Sequence, residues 1–236
     1  MTKREDVLFF KLKQKQIPFK HVAEVGVYLP QTSNIGAFTK EGIKSTFVEA
    51  DPSSIEAIKK YFKNMENVHI HPVAVFDKSG SVELVQRKAS TYLKVLDSSP
   101  AIINDEYSLD NKDTFTVDAV TFNEIDDGSI DLLSIDIEGG EWFVIKHMTS
   151  RPLVLSIETH GAMYINPYID EIKQWMSENG YIVWYMDSSD TVFIKTGLFN
   201  ITFPDKLKLF ATKIRLNYKK YRKTIKRKIK KLFRFK

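Results

Sequence analysis

Two carboxylates close a short apolar run near the middle of the chain, and this arrangement could do chemistry. Asp136 and Glu138 lie at the end of the β-prone run 130–137, just before Gly139-Gly140. A nearly continuous apolar run is typical of a strand buried on both faces of a parallel sheet. Residues two apart in an extended chain point the same way, so both carboxylates should face one crevice. Ligands of open α/β sheets bind outside the carboxyl ends of the strands, so we interpret this pair as functional rather than as caps of the next helix.

Three further predicted strands also end in acids, glycine or histidine. These ends are Glu24-x-Gly26, Glu49-x-Asp51 and Glu158-x-His160. Glycine after the first strand leaves room for a ligand, and an acid after the second can accept hydrogen bonds from both ribose hydroxyls. No glycine-rich phosphate loop follows the first strand, which excludes a dinucleotide or a triphosphate. The pattern therefore favours an adenosine without phosphates, namely S-adenosylmethionine.

The elements that must position these residues alternate between strand and helix. Along residues 21–203 this order predicts an α/β fold, a doubly wound Rossmann-like sheet, mostly parallel, closed by an antiparallel C-terminal hairpin. Residues 68–75 are predicted to form one strand and residues 117–125 a short helix. Residues 1–20 should form an N-terminal helix, and residues 86–113 an irregular insertion that shapes the substrate side.

Composition excludes several classes of protein. The 236 residues suit one α/β domain with appendages. The chain has no cysteine, so disulfides, thiolate catalysis and cysteine-bound metals are excluded. No apolar run reaches the roughly 18 residues of a membrane span, and the N-terminus lacks a signal-peptide core. We therefore expect a cytoplasmic protein.

A basic tail, residues 204–236, dominates the formal net charge of +5. The tail contains 15 Lys and Arg and one acid, so it carries +14 while residues 1–203 carry −9. An acidic body argues against nucleic acid as a partner. Apolar residues recur in the tail at intervals of three or four: Ile214, Tyr218, Tyr221, Ile225, Ile229 and Leu232. This pattern predicts a basic amphipathic helix that binds an anionic membrane surface on the inner face of the membrane. The alternative is a solvated helix docked on the acidic body.

Several of these stretches, taken together, resemble the FkbM family of S-adenosylmethionine-dependent O-methyltransferases over about residues 20–195. The matching runs are Glu24–Val27, Phe47–Pro52, His71–Val75 with its Asp77…Gly80 turn, Thr116–Phe122, Ser134–Glu141 and Leu155–Glu158. Carried over by position, the resemblance implies a cofactor site made of Glu24 and Gly26 at the methionine end, Asp51 or alternatively Glu49 at the ribose, and Ala74 and Asp136.

The first motif departs from the family pattern, because Tyr28 and Pro30 stand where the family has Asn and Gly. Two alternatives therefore stay open. One is a binding or scaffold protein of the same fold that has lost the cofactor, and the other is a nucleic-acid methyltransferase, which only the basic tail supports.

Methyl transfer to a hydroxyl needs a deprotonated nucleophile, and the sequence offers two routes to it. Asp136 or His160 could act as the base, with Glu158 beside them. Alternatively, Mg²⁺ or Mn²⁺ held by Asp136, Glu138 and Glu158 could lower the pKa of the hydroxyl. The hypothesis is an O-methyltransferase whose acceptor is a hydroxyl of a glycan, either a polysaccharide or a lipid-linked sugar, or a related small molecule.

Overall fold

The computed structural model describes residues 7–87, 90–96, 98–105 and 114–234. Within these ranges the chain forms eleven strands and seven α-helices. The strands are β1 (His21–Val25), β2 (Lys44–Val48), β3 (Val68–His71), β4 (Ala74–Val75), β5 (Gly80–Arg87), β6 (Ser90–Leu93), β7 (Thr114–Val120), β8 (Leu132–Ile135), β9 (Val154–Glu158), β10 (Tyr181–Met186) and β11 (Asp190–Lys195). The helices are α1 (Val7–Lys13), α2 (Gly36–Lys40), α3 (Pro52–Tyr61), α4 (Pro100–Asp105), α5 (Glu141–Lys146), α6 (Ile169–Glu178) and α7 (Phe203–Arg234).

A seven-stranded sheet forms the centre of the molecule, in the order β10-β11-β9-β8-β1-β2-β3. Strands β3, β2, β1, β8 and β9 pair in parallel, whereas β11 runs antiparallel to β9 and β10 antiparallel to β11. The strand order reverses between β1 and β8, which is where doubly wound sheets bind ligands. The predicted fold class, including the antiparallel hairpin and the C-terminal helix, is confirmed.

Helices cover both faces of this sheet, and the sequence alternation of its strands decides which residues meet which helices. Val22, Leu132 and Val154 pack on one side with residues of α1, α2 and α3. Their neighbours Ala23 and Leu133 pack on the other side with residues of α5 and α6. Because both faces are covered, the carboxyl edge of the sheet is left as the place where polar side chains can reach a ligand.

A second sheet of four strands, β4-β7-β5-β6, corrects two predictions. The single strand predicted over residues 68–75 is wrong, because Pro72 has no N–H to continue the ladder and the chain divides into β3 and β4 in different sheets. The helix predicted over residues 117–125 is wrong as well. Residues 114–120 form β7, which pairs with β5, and only Phe122–Glu124 form a short 3-10 helix.

The segments around the domain are partly described. Leu8, Phe9 and Leu12 of α1 bury their side chains against the body, while residues 1–6 of the predicted N-terminal helix lie outside the described residues. The described part of the predicted insertion contains the end of β5, β6 and α4; residues 88–89, 97 and 106–113 lie outside it. The tail forms α7, and among the described residues no helix is both long enough and apolar enough to cross a bilayer.

Candidate active site

A cavity of about 440 Å³ opens at the carboxyl ends of β1, β2 and β8. Its wall contains six acidic residues and no lysine, arginine or histidine among the described residues. These acids are Glu49, Asp51, Asp136, Glu138, Asp187 and Asp190. A wall with one sign of charge raises the local concentration of oppositely charged ligands. The cavity is therefore suited to a cationic ligand.

The floor of the cavity is formed where β1 and β8 end side by side. Gly26 turns away from β1 with φ +86°, and its N–H donates to the Val48 carbonyl oxygen of β2 at 2.9 Å. The Asp136 N–H donates to the Val25 carbonyl oxygen at 2.9 Å, so the Asp136 backbone lies against the Gly26 turn. Glycine is needed here because L side chains rarely adopt this φ.

Glu24 holds the loop that follows β1. Its buried carboxylate accepts the Asn34 N–H at 2.9 Å and a hydrogen bond from the Ser33 hydroxyl. Asn34 lines the cavity and donates from its side chain to the Ser134 hydroxyl of β8 at 3.0 Å. Burial raises the pKa of Glu24 to about 7, against the lowering effect of these hydrogen bonds. Glu24 therefore positions the cavity wall without lining it.

Glu49 and Asp51 follow β2 and both line the cavity, but their oxygens are occupied to different extents. Glu49 Oε1 accepts the N–H groups of Ala50 and Asp51 at 2.7 and 2.8 Å, whereas Oε2 accepts only the Val27 N–H at 2.7 Å. A carboxylate oxygen accepts about two hydrogen bonds, so Oε2 retains one free position.

The carboxylate of Asp51 is used to begin α3. Its Oδ2 accepts from the Ser53 hydroxyl at 2.5 Å and from the N–H and hydroxyl of Ser54 at 3.1 and 2.7 Å. Burial alone would raise the pKa of Asp51, but these hydrogen bonds bring it below its usual value. Asp51 is thus an N-cap with little acceptor capacity left for a ligand.

The turn after β8 differs from the extended chain that the sequence analysis assumed. Glu138 has φ +57°, in the left-handed region, so Asp136 and Glu138 do not share the alternation of a strand. Glu141, at the start of α5, holds this turn. Its Oε1 accepts the N–H groups of Ile137 and Gly139 at 2.9 and 3.2 Å, and its Oε2 accepts from the Asn166 amide.

Three carboxylates meet behind the cavity wall, one each from Asp136, Glu141 and Glu158, with an oxygen of each within 4.8 Å of the others. Asp136 is open to the cavity, while Glu141 and Glu158 are buried. Asp136 is exposed at the cavity, but the protein around its carboxylate desolvates it and, with the charges of Asp190 and Glu138, raises its pKa well above the usual range. Burial, followed by the charges of the neighbouring acids, does the same to the pKa of Glu158. Burial also raises the pKa of Glu141 to about 7. Like charges this close cannot all ionise, so the group shares protons near neutral pH.

This trio differs from the predicted metal set, since Glu141 takes the place of Glu138. It is a poor fit to a divalent cation because Glu141 already accepts three N–H hydrogen bonds. Glu158 is buried with a raised pKa, so its neutral form, a weak ligand, is favoured. Of these three carboxylates, only that of Asp136 is open to the cavity. One carboxylate supplies fewer oxygen ligands than Mg²⁺ or Mn²⁺ requires.

His160 lies outside the cavity lining, on the far side of β9 from Asp136 in the strand order. Its Nε2 is 3.3 Å from the Asp187 carbonyl oxygen, and its Nδ1 is 2.9 Å from the Thr159 hydroxyl. A carbonyl can only accept, so Nε2 carries the proton and Nδ1 accepts from Thr159. Burial lowers the pKa of His160, which keeps the ring neutral. Its basic nitrogen is therefore occupied in fixing the loop.

The structure brings six of the predicted site residues to the cavity and leaves three outside its lining. Those in the lining are Gly26, Glu49, Asp51, Ala74, Asp136 and Glu138. Glu24, Glu158 and His160 are the other three. Sequence reasoning missed Asn34, Ser189 and Asp190. Asn34 carries no signal because its loop has no regular pattern. The acids Asp187 and Asp190 are such a signal, but turns of hairpins commonly contain aspartate, so their position alone does not indicate a site.

The strand order, with its antiparallel final strands, and a cavity at the β1–β8 switch point define a class of protein, the Rossmann-like methyltransferases. The chain belongs to the FkbM methyltransferase family: the model of the methyltransferase FkbM domain matches residues 21–183. The resemblance seen in the sequence is thereby confirmed, and the protein is an S-adenosylmethionine-dependent methyltransferase.

Several solved structures are similar to the chain, and no curated protein matches it significantly. A proposed caffeoyl-CoA O-methyltransferase from Staphylococcus aureus is 12% identical, with a TM-score of 0.48, and the match covers 83% of this chain and 85% of that one. A precorrin-6y C5,15-methyltransferase from Geobacter metallireducens is 13% identical, with a TM-score of 0.41 and coverage of 83% and 90%. A ribosomal protein L11 methylase from Lactobacillus delbrueckii is 12% identical, with a TM-score of 0.41 and coverage of 83% and 80%.

Proposed function

We propose that this protein transfers the methyl group of S-adenosylmethionine to a hydroxyl of an uncharged glycan or a related small acceptor. The observation that carries the proposal is the position of Asp136. Its carboxylate opens into the cavity, beside the Gly26 turn, and desolvation followed by the charges of neighbouring acids, Asp190 first, raises its pKa. A raised pKa makes a carboxylate a stronger base than an ordinary one, and surroundings of this kind raise it.

Asp136 is the proposed general base. The acceptor hydroxyl would donate a hydrogen bond to the Asp136 carboxylate, and its proton would pass to that carboxylate as the oxygen bonds to the methyl carbon. The bond between that carbon and sulfur would break at the same time, with a neutral thioether as the leaving group. The bound cofactor supplies a methyl group on a positively charged sulfur. Alignment of acceptor and methyl group supplies most of the remaining rate enhancement, which is why a rigid wall matters. Glu141 provides that rigidity by holding the turn after Asp136.

The cofactor end of the cavity is assigned from the free hydrogen-bonding positions. Glu49 Oε2 has capacity for one further donor, so we assign the ribose hydroxyls to Glu49 rather than to Asp51. Both the sulfonium and the amino group of the cofactor are cationic. The acidic wall, with Asp136 and Asp190 among its members, complements those charges.

The same wall supports an uncharged acceptor. Phosphate groups would be repelled by the ionised members of the acidic wall, such as Asp51, and the described lining offers no basic side chain to pair with them. Sugar hydroxyls, in contrast, are donors that carboxylates and amides accept readily. This charge pattern favours a glycan over a nucleic acid. No step of the mechanism passes through a metal ion, since the carboxylate trio fits one poorly.

Transfer of a tritiated methyl group to a panel of acceptors tests the proposal. Incorporation into uncharged oligosaccharides or glycosides, but not into RNA or DNA, is the expected result. Asp136→Asn should reduce the rate by about 100-fold or more, because general-base catalysis contributes on that scale. Asp118→Asn is the matched control, since Asp118 is exposed on β7 away from the cavity lining. Label in nucleic acid, or an active Asp136→Asn variant, would overturn the proposal.

A further inference from the structure

We propose that α7 is an interfacial helix, which binds an anionic membrane surface through an apolar stripe that faces away from the body. The stripe consists of Phe203, Leu207, Phe210, Ile214, Tyr218, Tyr221, Ile225 and Ile229. A cytoplasmic protein meets such a surface at the inner leaflet of the membrane. This inference goes beyond the proposed methyl transfer and does not depend on it.

The stripe follows the helical repeat over nearly the whole of α7. Its members are three or four residues apart, so they lie on one side of a helix with about 100° per residue. Each is exposed, from 37% at Ile225 to 76% at Phe203. From Phe203 to Ile229 the stripe extends about 39 Å, at about 1.5 Å per residue. An exposed apolar surface of this length marks an interaction site.

The opposite side of α7 is the one that packs on the body. Leu209, Thr212 and Leu216 are half-buried and lie roughly half a helical turn away from the stripe. The helix packs along β10, and Arg227 donates to the Ile103 carbonyl oxygen of α4 at 3.0 Å. The structure therefore shows α7 docked on the body, as in the alternative left open by the sequence, but through the side opposite the stripe, so the stripe itself stays exposed. The side chain of Leu232, the last predicted member of the stripe, lies outside the described residues.

The charges of α7 identify the partner. The helix has 14 Lys and Arg and one acid, Asp205. By helical spacing, Lys208, Arg215 and Lys219 flank the stripe on one side, and Lys206 and Lys213 flank it on the other. Apolar side chains bordered by long cations suit the boundary between acyl chains and anionic headgroups. Each cation near such a surface adds electrostatic attraction to the anionic headgroups.

Two other partners explain less of this pattern. A nucleic acid would pair with the cations but would leave the apolar stripe in water. A second copy of the chain would cover the stripe, but two α7 helices packed face to face would bring their basic flanks together. Only a membrane surface matches the apolar and the basic parts of the helix at once.

The attachment of α7 to the body fixes how a bound protein would sit. Thr202 caps the helix: its hydroxyl accepts the Asp205 N–H at 3.3 Å, and Asp205 Oδ2 accepts the Thr202 N–H at 3.3 Å. Burial alone would raise the pKa of Asp205, but the Thr202 hydrogen bonds, and after them the nearby Lys15 and Lys11, lower it. The helix thus contacts the body along β10 and at Arg227.

Flotation of the full-length protein with lipid vesicles tests the inference. Protein should float with vesicles that contain about 30% phosphatidylserine, remain with the soluble fraction beside pure phosphatidylcholine, and detach in 0.5 M NaCl. The triple variant Leu207→Ser, Phe210→Ser, Ile214→Ser should lose at least about tenfold in binding, because three apolar anchors are removed. The matched control removes three exposed apolar residues of the body, Val7→Ser, Tyr61→Ser and Val95→Ser, and should float like the wild type.

Three results would overturn the inference. One is equal flotation of the stripe variant and the wild type. Another is retention on RNA, but not on vesicles. The third is a dimer in sedimentation that the stripe variant abolishes, since this would assign the stripe to a second copy. Far-ultraviolet circular dichroism of each variant checks that α7 remains helical.

Discussion

A Cβ atom placed on Gly26 would lie 1.8 Å from the Asp136 carbonyl oxygen, so the turn after β1 and the end of β8 are in direct backbone contact. No side chain fits at this contact, whether or not a ligand is present. The position of the proposed base, Asp136, therefore depends on Gly26 in the turn after the neighbouring strand β1.

Gly26→Ala should destabilise the fold by about 3 kcal/mol or more and abolish cofactor binding, because one backbone must move. The control is Gly42→Ala. Gly42 has a similar φ of +84°, but nothing lies within 4 Å of its added Cβ. Gly42→Ala therefore measures only the cost of forcing an alanine into a left-handed backbone conformation, which is about 1–2 kcal/mol. Urea unfolding of both variants provides the comparison, and equal losses would show that the contact with Asp136 is not tight.

Glu24 makes the stability of the ligand-free protein depend on pH. Burial raises its pKa from 4.5 to about 7, so the folded state holds the proton more tightly than the unfolded state. The stabilisation is complete below pH 4.5 and is lost as the pH rises to about 7, by about 3 kcal/mol in all. Glu24→Gln should therefore be more stable than the wild type at pH 8 and no more stable at pH 5.

Thermal unfolding of both proteins at the two pH values measures this difference. The wild type must be compared with Glu24→Gln, because other groups also make the stability depend on pH. His21, His71 and His160 have lowered pKa values, so their contribution to the stability rises with pH, opposite to that of Glu24. The same Tm difference between the two proteins at both pH values would contradict the raised pKa of Glu24.

The two acids after β2 should respond differently to substitution. Glu49→Gln should weaken S-adenosylmethionine binding by about tenfold, since one acceptor oxygen for the ribose is replaced by an amide nitrogen. Asp51→Ala should instead lower the stability by about 1–2 kcal/mol through loss of the α3 N-cap. Calorimetry of binding and urea unfolding separate the two effects. The assignment of the ribose to Glu49 fails if Asp51→Ala weakens binding more than Glu49→Gln does.

Chelation distinguishes the two routes to a reactive hydroxyl. Dialysis against EDTA should leave turnover unchanged, because Glu141 is occupied by N–H donors and Glu158 favours its neutral form. Turnover that EDTA abolishes and Mn²⁺ or Mg²⁺ restores would contradict the base-only mechanism. The effect of pH on the rate provides a second readout, since activity should rise as Asp136 loses its proton.

The sequence predicts the sheet and most of the strand ends, because apolar runs such as 130–137 are set by burial on both faces. It does not predict the second sheet, since the pairing of β5 with β7 joins segments that are distant in sequence. The sequence also does not predict the left-handed backbone conformation of Glu138, because Glu141 of the following helix holds that turn. Asp190 reaches the cavity only through the pairing of β11 with Glu158 of β9.

Calorimetric titration with S-adenosylmethionine tests the central claim most directly. Binding should be saturable below 1 mM. It should release protons at pH 7, because a cationic ligand lowers the raised pKa values of Asp136 and its neighbours. Titrations in two buffers of different ionisation enthalpy measure that release. Saturable binding with proton release is the predicted result, whereas no heat of binding at millimolar ligand would contradict the account.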